Sequence, residues 1–134
     1  MPPIRRHASE WFEVELDRAE RRVVVRRLAR RFASPEEAEL AAIPVLDVLQ
    51  PLDRAAHTLL MDVRQAPAIS DPKYEQWYAE VRHRIVDGFA RVAVVVRTAS
   101  GRLQVARLAH QDQHDRTLAV FTSLAEAQVY LDRT

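Results

Sequence analysis

The sequence predicts an α/β fold: an N-terminal β-hairpin followed by strand–helix crossovers that build a mixed, mostly parallel five-stranded sheet with about four helices. Three observations lead there. Leu59-Leu60-Met61 and Val92-Ala93-Val94-Val95-Val96 are short unbroken apolar runs of the kind found in strands covered on both faces by helices. Ser34-Pro35-Glu36-Glu37 and Ser123 with Glu126 are helix-start signals placed before apolar periodicity of helical spacing. Ahead of both, Phe12, Val14 and Leu16 alternate with Glu13 and Glu15, which is the pattern of an antiparallel strand wet on one side.

The elements follow in order. Residues 1–9 contain two prolines and two arginines and are read as a flexible N-terminus, with the folded domain over 10–134. Trp11 to Leu16 is the first strand, and Asp17-Arg18-Ala19-Glu20 is a polar turn. Arg22 to Leu28, with Val23-Val24-Val25 at its centre, returns antiparallel. The arginines at 26, 27, 30 and 31 are expected on a charged, solvated strand face and exit. Ser34 as cap, Pro35 at the first helical position and Glu37 three residues after the cap start a helix whose stripe is Ala38, Ala41, Ala42, Val45 and Leu49. Pro44 should kink or divide that helix, since it lacks the N–H that its turn requires.

His57 to Val63 is the third strand, interrupted by Asp62. Asp71-Pro72 repeats the cap-plus-proline signal ahead of Tyr74, Trp77, Tyr78, Val81 and Ile85, until Gly88 offers a C-cap. Arg91 to Arg97 is the central strand. Ser100 is the expected cap of a third helix from about 101 to 110, Leu118 to Thr122 is the fifth strand, and a last helix follows Ser123.

Composition narrows the functional classes. The 134 residues carry 20 Lys+Arg against 19 Asp+Glu, so no overall field draws the chain to nucleic acid or an anionic membrane. The absence of cysteine excludes disulfides, thiolate metal sites and cysteine nucleophiles. Without a secretory apolar run or a stretch able to span a bilayer, the expected location is cytoplasmic. Gly88 and Gly101 are the only glycines, and neither belongs to a phosphate-cradling string.

The order of elements and three strings resemble the STAS domain of anti-sigma factor antagonists, most closely its SpoIIAA-like branch. The strings are Leu59-Leu60-Met61-Asp62-Val63-Arg64, Arg91-Val92-Ala93-Val94-Val95-Val96 and Val120-Phe121-Thr122-Ser123-Leu124-Ala125-Glu126-Ala127. The likeness runs over about residues 10 to 132. It implies a bacterial regulatory module that acts by protein contact, and for the SpoIIAA-like branch a capacity for a lipid or other small apolar ligand. In the antagonist branch the loop after the third strand carries a serine that a partner kinase phosphorylates. Here a gapless alignment from Asp62 puts Pro72 at that serine and Lys73 at the following glycine, so the resemblance brings the scaffold without that switch position.

The candidate site is the strand–loop–helix junction at residues 58 to 74. Ser70 is a possible phosphorylation site ahead of a helix N-terminus, where negative charge is tolerated, with loop hydrogen bonding as its plain role. Asp71 reads as the N-cap. Asp62, Arg64 and Arg97 belong near the carboxyl ends of neighbouring strands, as a small ligand site or as an ion pair tying strand ends together. Lys73, Tyr74, Trp77 and Tyr78 complete the interaction or ligand surface; a helix faces one way, so some of the rings must lie at the margin of the core. His110, Asp112, His114 and Asp115 have ligand residue types but read as a solvated loop, so no metal and no cofactor is expected. The expected function is therefore non-catalytic: a STAS-like regulatory or scaffold module with a protein partner, or with itself as a homodimer. The alternative is a module for a small apolar ligand. No nucleic-acid binding and no membrane insertion are expected.

Overall fold

The computed structural model describes residues 2–67, 72–111 and 117–133, with backbone only at Pro72, Tyr74, Glu75, Leu108, Ala109 and Gln111. Six strands and four helices follow one another as β1 (Ile4–Ala8), β2 (Phe12–Asp17), β3 (Arg22–Arg27), α1 (Pro35–Leu49), β4 (Thr58–Asp62), α2 (Pro72–Val86), β5 (Arg91–Val95), α3 (Ala99–Gln111), β6 (Leu118–Phe121) and α4 (Leu124–Leu131). A 3-10 turn at Arg54–Ala56 precedes β4.

The strands lie in the sheet in their order along the chain. β1, β2 and β3 pair antiparallel, and β3, β4, β5 and β6 pair parallel. The α/β class, the opening hairpin and the four helices match the sequence reading. The strand count does not, because β1 was expected to be part of a flexible tail. Its registry on β2 runs from Ile4 opposite Leu16 to Ala8 opposite Glu13, with an irregularity between Arg5 and His7. Ser9 makes the connection: its hydroxyl accepts hydrogen bonds from the Trp11 and Phe12 N–H groups at 3.2 and 3.1 Å. The strand escapes a hydrophobicity-based search because it is an edge with four of five residues exposed, held by main-chain bonds rather than by burial.

Advancing by one strand at each crossover, the chain keeps α1, α2 and α3 on one face, as connections of constant hand require. On that face Val23, Val25, Leu59, Met61, Val92 and Val94 meet Ala38, Ala42, Val45 and Leu49 of α1 and Val81, Ile85 and Val86 of α2. Val105 of α3 packs on the same core. The opposite face is narrower: α4 lays Ala127 and Leu131 on Val24, Leu60, Ala93 and Val95. β4 and β5 are thus buried on both sides, which is why their sequences are continuous apolar runs.

The helix starts explain themselves. The Glu37 N–H donates to Ser34 Oγ at 3.1 Å, while the Glu37 carboxylate reaches back past the cap to the Ala33 N–H at 3.0 Å. Of the expected kink or division at Pro44, the division does not occur: α1 runs as one helix through it. The carbonyl that loses its donor belongs to Leu40, which is 68% exposed, so the missing bond falls on the solvent side of the helix, where its loss costs least. α3 begins two residues before the sequence reading placed it. Its cap is Thr98 rather than Ser100, since Thr98 Oγ1 accepts from the Gly101 N–H at 3.0 Å and the Thr98 carbonyl from the Arg102 N–H. Ser123 caps α4 by accepting from the Glu126 N–H.

Candidate functional site

At the carboxyl end of β4, Asp62 is 9% exposed and points away from α1 and α2. Arg64 grips it with both arms of the guanidinium, Nε to Oδ1 at 2.9 Å and Nη2 to Oδ2 at 2.8 Å, and the Arg64 main-chain N–H adds a bond of 3.1 Å to Oδ1. Arg26 stands opposite Asp62 in the β3–β4 register and pairs with Glu15 of β2 at 2.8 Å. Burial by itself pushes the Asp62 carboxyl up, but hydrogen bonds from Arg64 and the charges of Arg64 and Arg26 outweigh it and hold the group below the usual carboxylate range. Asp62 is consequently a fixed, fully engaged anion. The ion pair expected there exists, but it joins the last residue of β4 to the segment just after it and does not tie two strands together: Arg97 is exposed and takes no part among the described residues.

On the other face of the same sheet end lies a feature absent from the sequence reading. The alternation that buries Val23 and Val25 also carries Arg27 inward, where it is 3% exposed, not solvated as expected of this arginine-rich exit. Its guanidinium carbon sits 4.2 Å from the centre of the Phe32 ring and 5.6 Å from that of Phe12. Nη1 donates to the carbonyls of Leu28 and Trp11 at 2.5 and 3.5 Å. No carboxylate pairs with Arg27 among the described residues, so the charge is held by ring faces and carbonyls alone.

Phe32 is the hub of these rings. Trp11, Phe12, Trp77 and Tyr78 surround it at centroid distances of 6.4, 6.2, 6.5 and 5.7 Å, and Trp77 meets Tyr78 edge-on. Phe12 and Phe32 are buried, whereas Trp11, Trp77 and Tyr78 are part-buried and packed on the core margin, as the one-sidedness of a helix demands. Arg30 lies over Trp11 at 4.7 Å and ion-pairs with Glu10, while the Trp11 indole N–H donates to the Arg31 carbonyl at 3.3 Å. Lys73 is exposed in the first turn of α2. The structure thus joins Trp77 and Tyr78, predicted from helical spacing, to Trp11, Arg27, Arg30 and Phe32, which were not predicted. The one local signal was an arginine at an inward position of an alternating strand. Ser70 and Asp71 lie outside the described residues, as does the Tyr74 side chain, and so do 112–116 of the His-Asp segment.

A second arginine fixes the far end of α2. Arg54 Nη1 donates to the carbonyls of Arg84, Ile85 and Asp87 at 2.8, 3.1 and 2.7 Å, satisfying acceptors that a helix terminus leaves free. Burial lowers its pKa from the ordinary value, opposed by Asp87, without threatening its charge. α2 is therefore clamped at its carboxyl end by Arg54, and it presents Lys73, Trp77 and Tyr78 near the other.

Among the described residues no helix is long and apolar enough to cross a membrane. No protein-family model, curated protein or solved structure matches the chain.

Proposed function

We propose that this chain is a non-catalytic, STAS-like regulatory or scaffold module of the cytoplasm that binds a protein partner through the surface around Trp11, Arg30, Lys73, Trp77 and Tyr78. The observation that carries this reading is the ring cluster centred on Phe32, which leaves two tryptophans and a tyrosine part-exposed beside arginine and lysine. Tryptophan, tyrosine and arginine are the residues that most often anchor interfaces, because each combines large apolar area with a polar tip and little rotamer freedom. Rigid support adds to this, since Phe12 and Phe32 hold the rings from beneath. Asp62, the one buried carboxylate among the described residues, is engaged by three donors and kept ionised, so it is unsuited to trading protons. For the apolar-ligand alternative, a cavity between α2 and the sheet would be needed. Val81 and Ile85 are fully buried there, which closes the layer along the second half of α2 and favours the surface reading.

The test compares baits. Wild-type protein and the variants Arg30→Glu and Lys73→Glu, checked for unchanged circular dichroism, are crosslinked in lysate of the source cells and the retained proteins quantified. A protein retained by wild type and reduced at least about tenfold by either charge reversal supports the reading, that factor corresponding to ~1.4 kcal/mol of lost contact. Identical retention by all three rules it out.

A further inference from the structure

The sheet has two edges, and they differ. β1 is defended: Pro2 and Pro3 precede it, Arg5 and Arg6 lie on it, and the pairing is irregular between Arg5 and His7. These are the devices by which edge strands refuse a further strand. β6 has none of them. Leu118-Ala119-Val120-Phe121 contains no charge, proline, glycine or irregularity, and among the described residues it pairs with β5 on one side only.

Its main chain is oriented for a partner. The Val92 and Val96 N–H groups bond the Thr117 and Phe121 carbonyls at 2.8 and 2.9 Å, so those residues turn toward β5. Alternate residues, Leu118 and Val120, direct their N–H and C=O groups the other way. Beside the edge lies an apolar groove of about 580 Å³ lined by Ala119, Phe121, Ala125, Val129 and Tyr130, with Glu126 and Arg133 as its only charged residues. Val129 is 62% exposed. Neither Glu126 nor Arg133 has an ion-pair partner among the described residues; Glu126 lies in the first turn of α4 and Arg133 just past its end.

We propose that β6 is a self-association edge, at which two copies of the chain pair antiparallel across a two-fold axis through Val120 to form one continuous sheet. The occupant is a second copy because the surface is complementary to itself. A two-fold at Val120 sets that residue against its own counterpart as a mutually hydrogen-bonded pair. It also sets the two α4 helices antiparallel, bringing Glu126 of each copy toward Arg133 of the other and Val129 toward the neighbouring groove. Because β1 is blunted, addition stops at two copies and does not run on into a filament. This surface is separate from the one around Trp77, and either assignment stands without the other.

Sedimentation and cysteine crosslinking test it on the full chain. Wild type should sediment at twice its 15.4 kDa at micromolar concentration. Val129→Glu should shift the association constant at least tenfold toward monomer, as should Glu126→Arg or Arg133→Glu alone, while the double reversal Glu126→Arg with Arg133→Glu restores the dimer. The chain has no cysteine, so Val120→Cys can form a disulfide only between copies. Antiparallel hydrogen-bonded positions stand about 5.5 Å apart at Cα, within disulfide reach. Mild oxidation should crosslink it, and Leu40→Cys, exposed on α1, should remain single. A wild-type chain that stays monomeric at 100 µM overturns the proposal, including the case in which the edge instead takes a strand from a different protein. So does a dimer that Val129→Glu leaves intact, or a dimeric Val120→Cys that refuses the crosslink.

Discussion

The Arg27 guanidinium carbon lies over the Phe32 ring, 4.2 Å from its centre, in a position 3% exposed and without a carboxylate among the described residues. A buried cation held this way is poor value as a stabiliser and good at keeping rings in place. Arg27→Met preserves stem volume and removes the desolvated charge, so its stability should stay within about 1 kcal/mol of wild type. Arg27→Ala leaves a void between Phe12 and Phe32 and should cost roughly 2–4 kcal/mol. Urea denaturation decides the matter: equal midpoints for Ala and wild type would contradict this account of the cluster.

Asp62 predicts an acid sensitivity with a definite sign. Its folded pKa is depressed by Arg64 and Arg26 against the pull of burial. The unfolded chain therefore takes up the proton first as pH falls, and the stability that Asp62 contributes is complete above its unfolded value of about 3.9 and is lost as pH drops through the lower folded value. Asp62→Asn should flatten the melting temperature of the protein across that acid window. An unchanged slope would show that Asp62 is not a source of the dependence.

Arg54 ties three carbonyls at the end of α2 and places its guanidinium 5.3 Å from the Phe89 ring centre. Arg54→Ala should cost about 1–3 kcal/mol and speed amide exchange in the last turn of α2 before it affects the sheet. Uniform acceleration across the molecule would argue against a local clamp.

Gly88 lies just past that helix at φ +91°, where a Cβ would stand 3.5 Å from Arg54 Cδ. The space is ordinary contact, so the penalty for Gly88→Ala comes from the left-handed backbone and should be about 1 kcal/mol. A neutral result in thermal denaturation would mean that the backbone relaxes out of that region.

Pro44 is the fifth test. Because α1 is continuous through it, Pro44→Ala restores a donor to the Leu40 carbonyl without new bulk, and stability should rise by about 1–2 kcal/mol. A loss on calorimetry would show that the ring itself is needed for packing.

What the sequence made legible divides along physical lines. β4, β5 and the stripe of α1 were readable because burial on two sides or on one stripe writes directly into residue type. The caps at Ser34 and Ser123 were readable because one hydroxyl at one spacing does the work. β1 was not, since an edge strand is held by main-chain bonds that any residue can make. Thr98 took the cap from Ser100 because both have the required hydroxyl and only the backbone path between them chooses. At the site, Trp77 and Tyr78 followed from periodicity, and the Asp62 ion pair from composition at a strand end. The inward turn of Arg27 was hidden because arginines at 26 and 27 look alike in sequence, while alternation sends one to Glu15 and the other among the rings.

The strand order has a further consequence, for how the protein is made. Each strand is laid beside the one synthesised before it, so every new segment meets a template already in place, although each parallel pairing from β3 onward must first close a long crossover and is slow for that reason. Until β6 arrives, however, the open edge of the nascent sheet is β5, whose valine-rich run has neither charge nor proline within it to discourage another chain. Pairing of β6 and docking of α4 therefore cover that edge and end an aggregation-prone interval of folding, so soluble yield should depend on how promptly these two elements form.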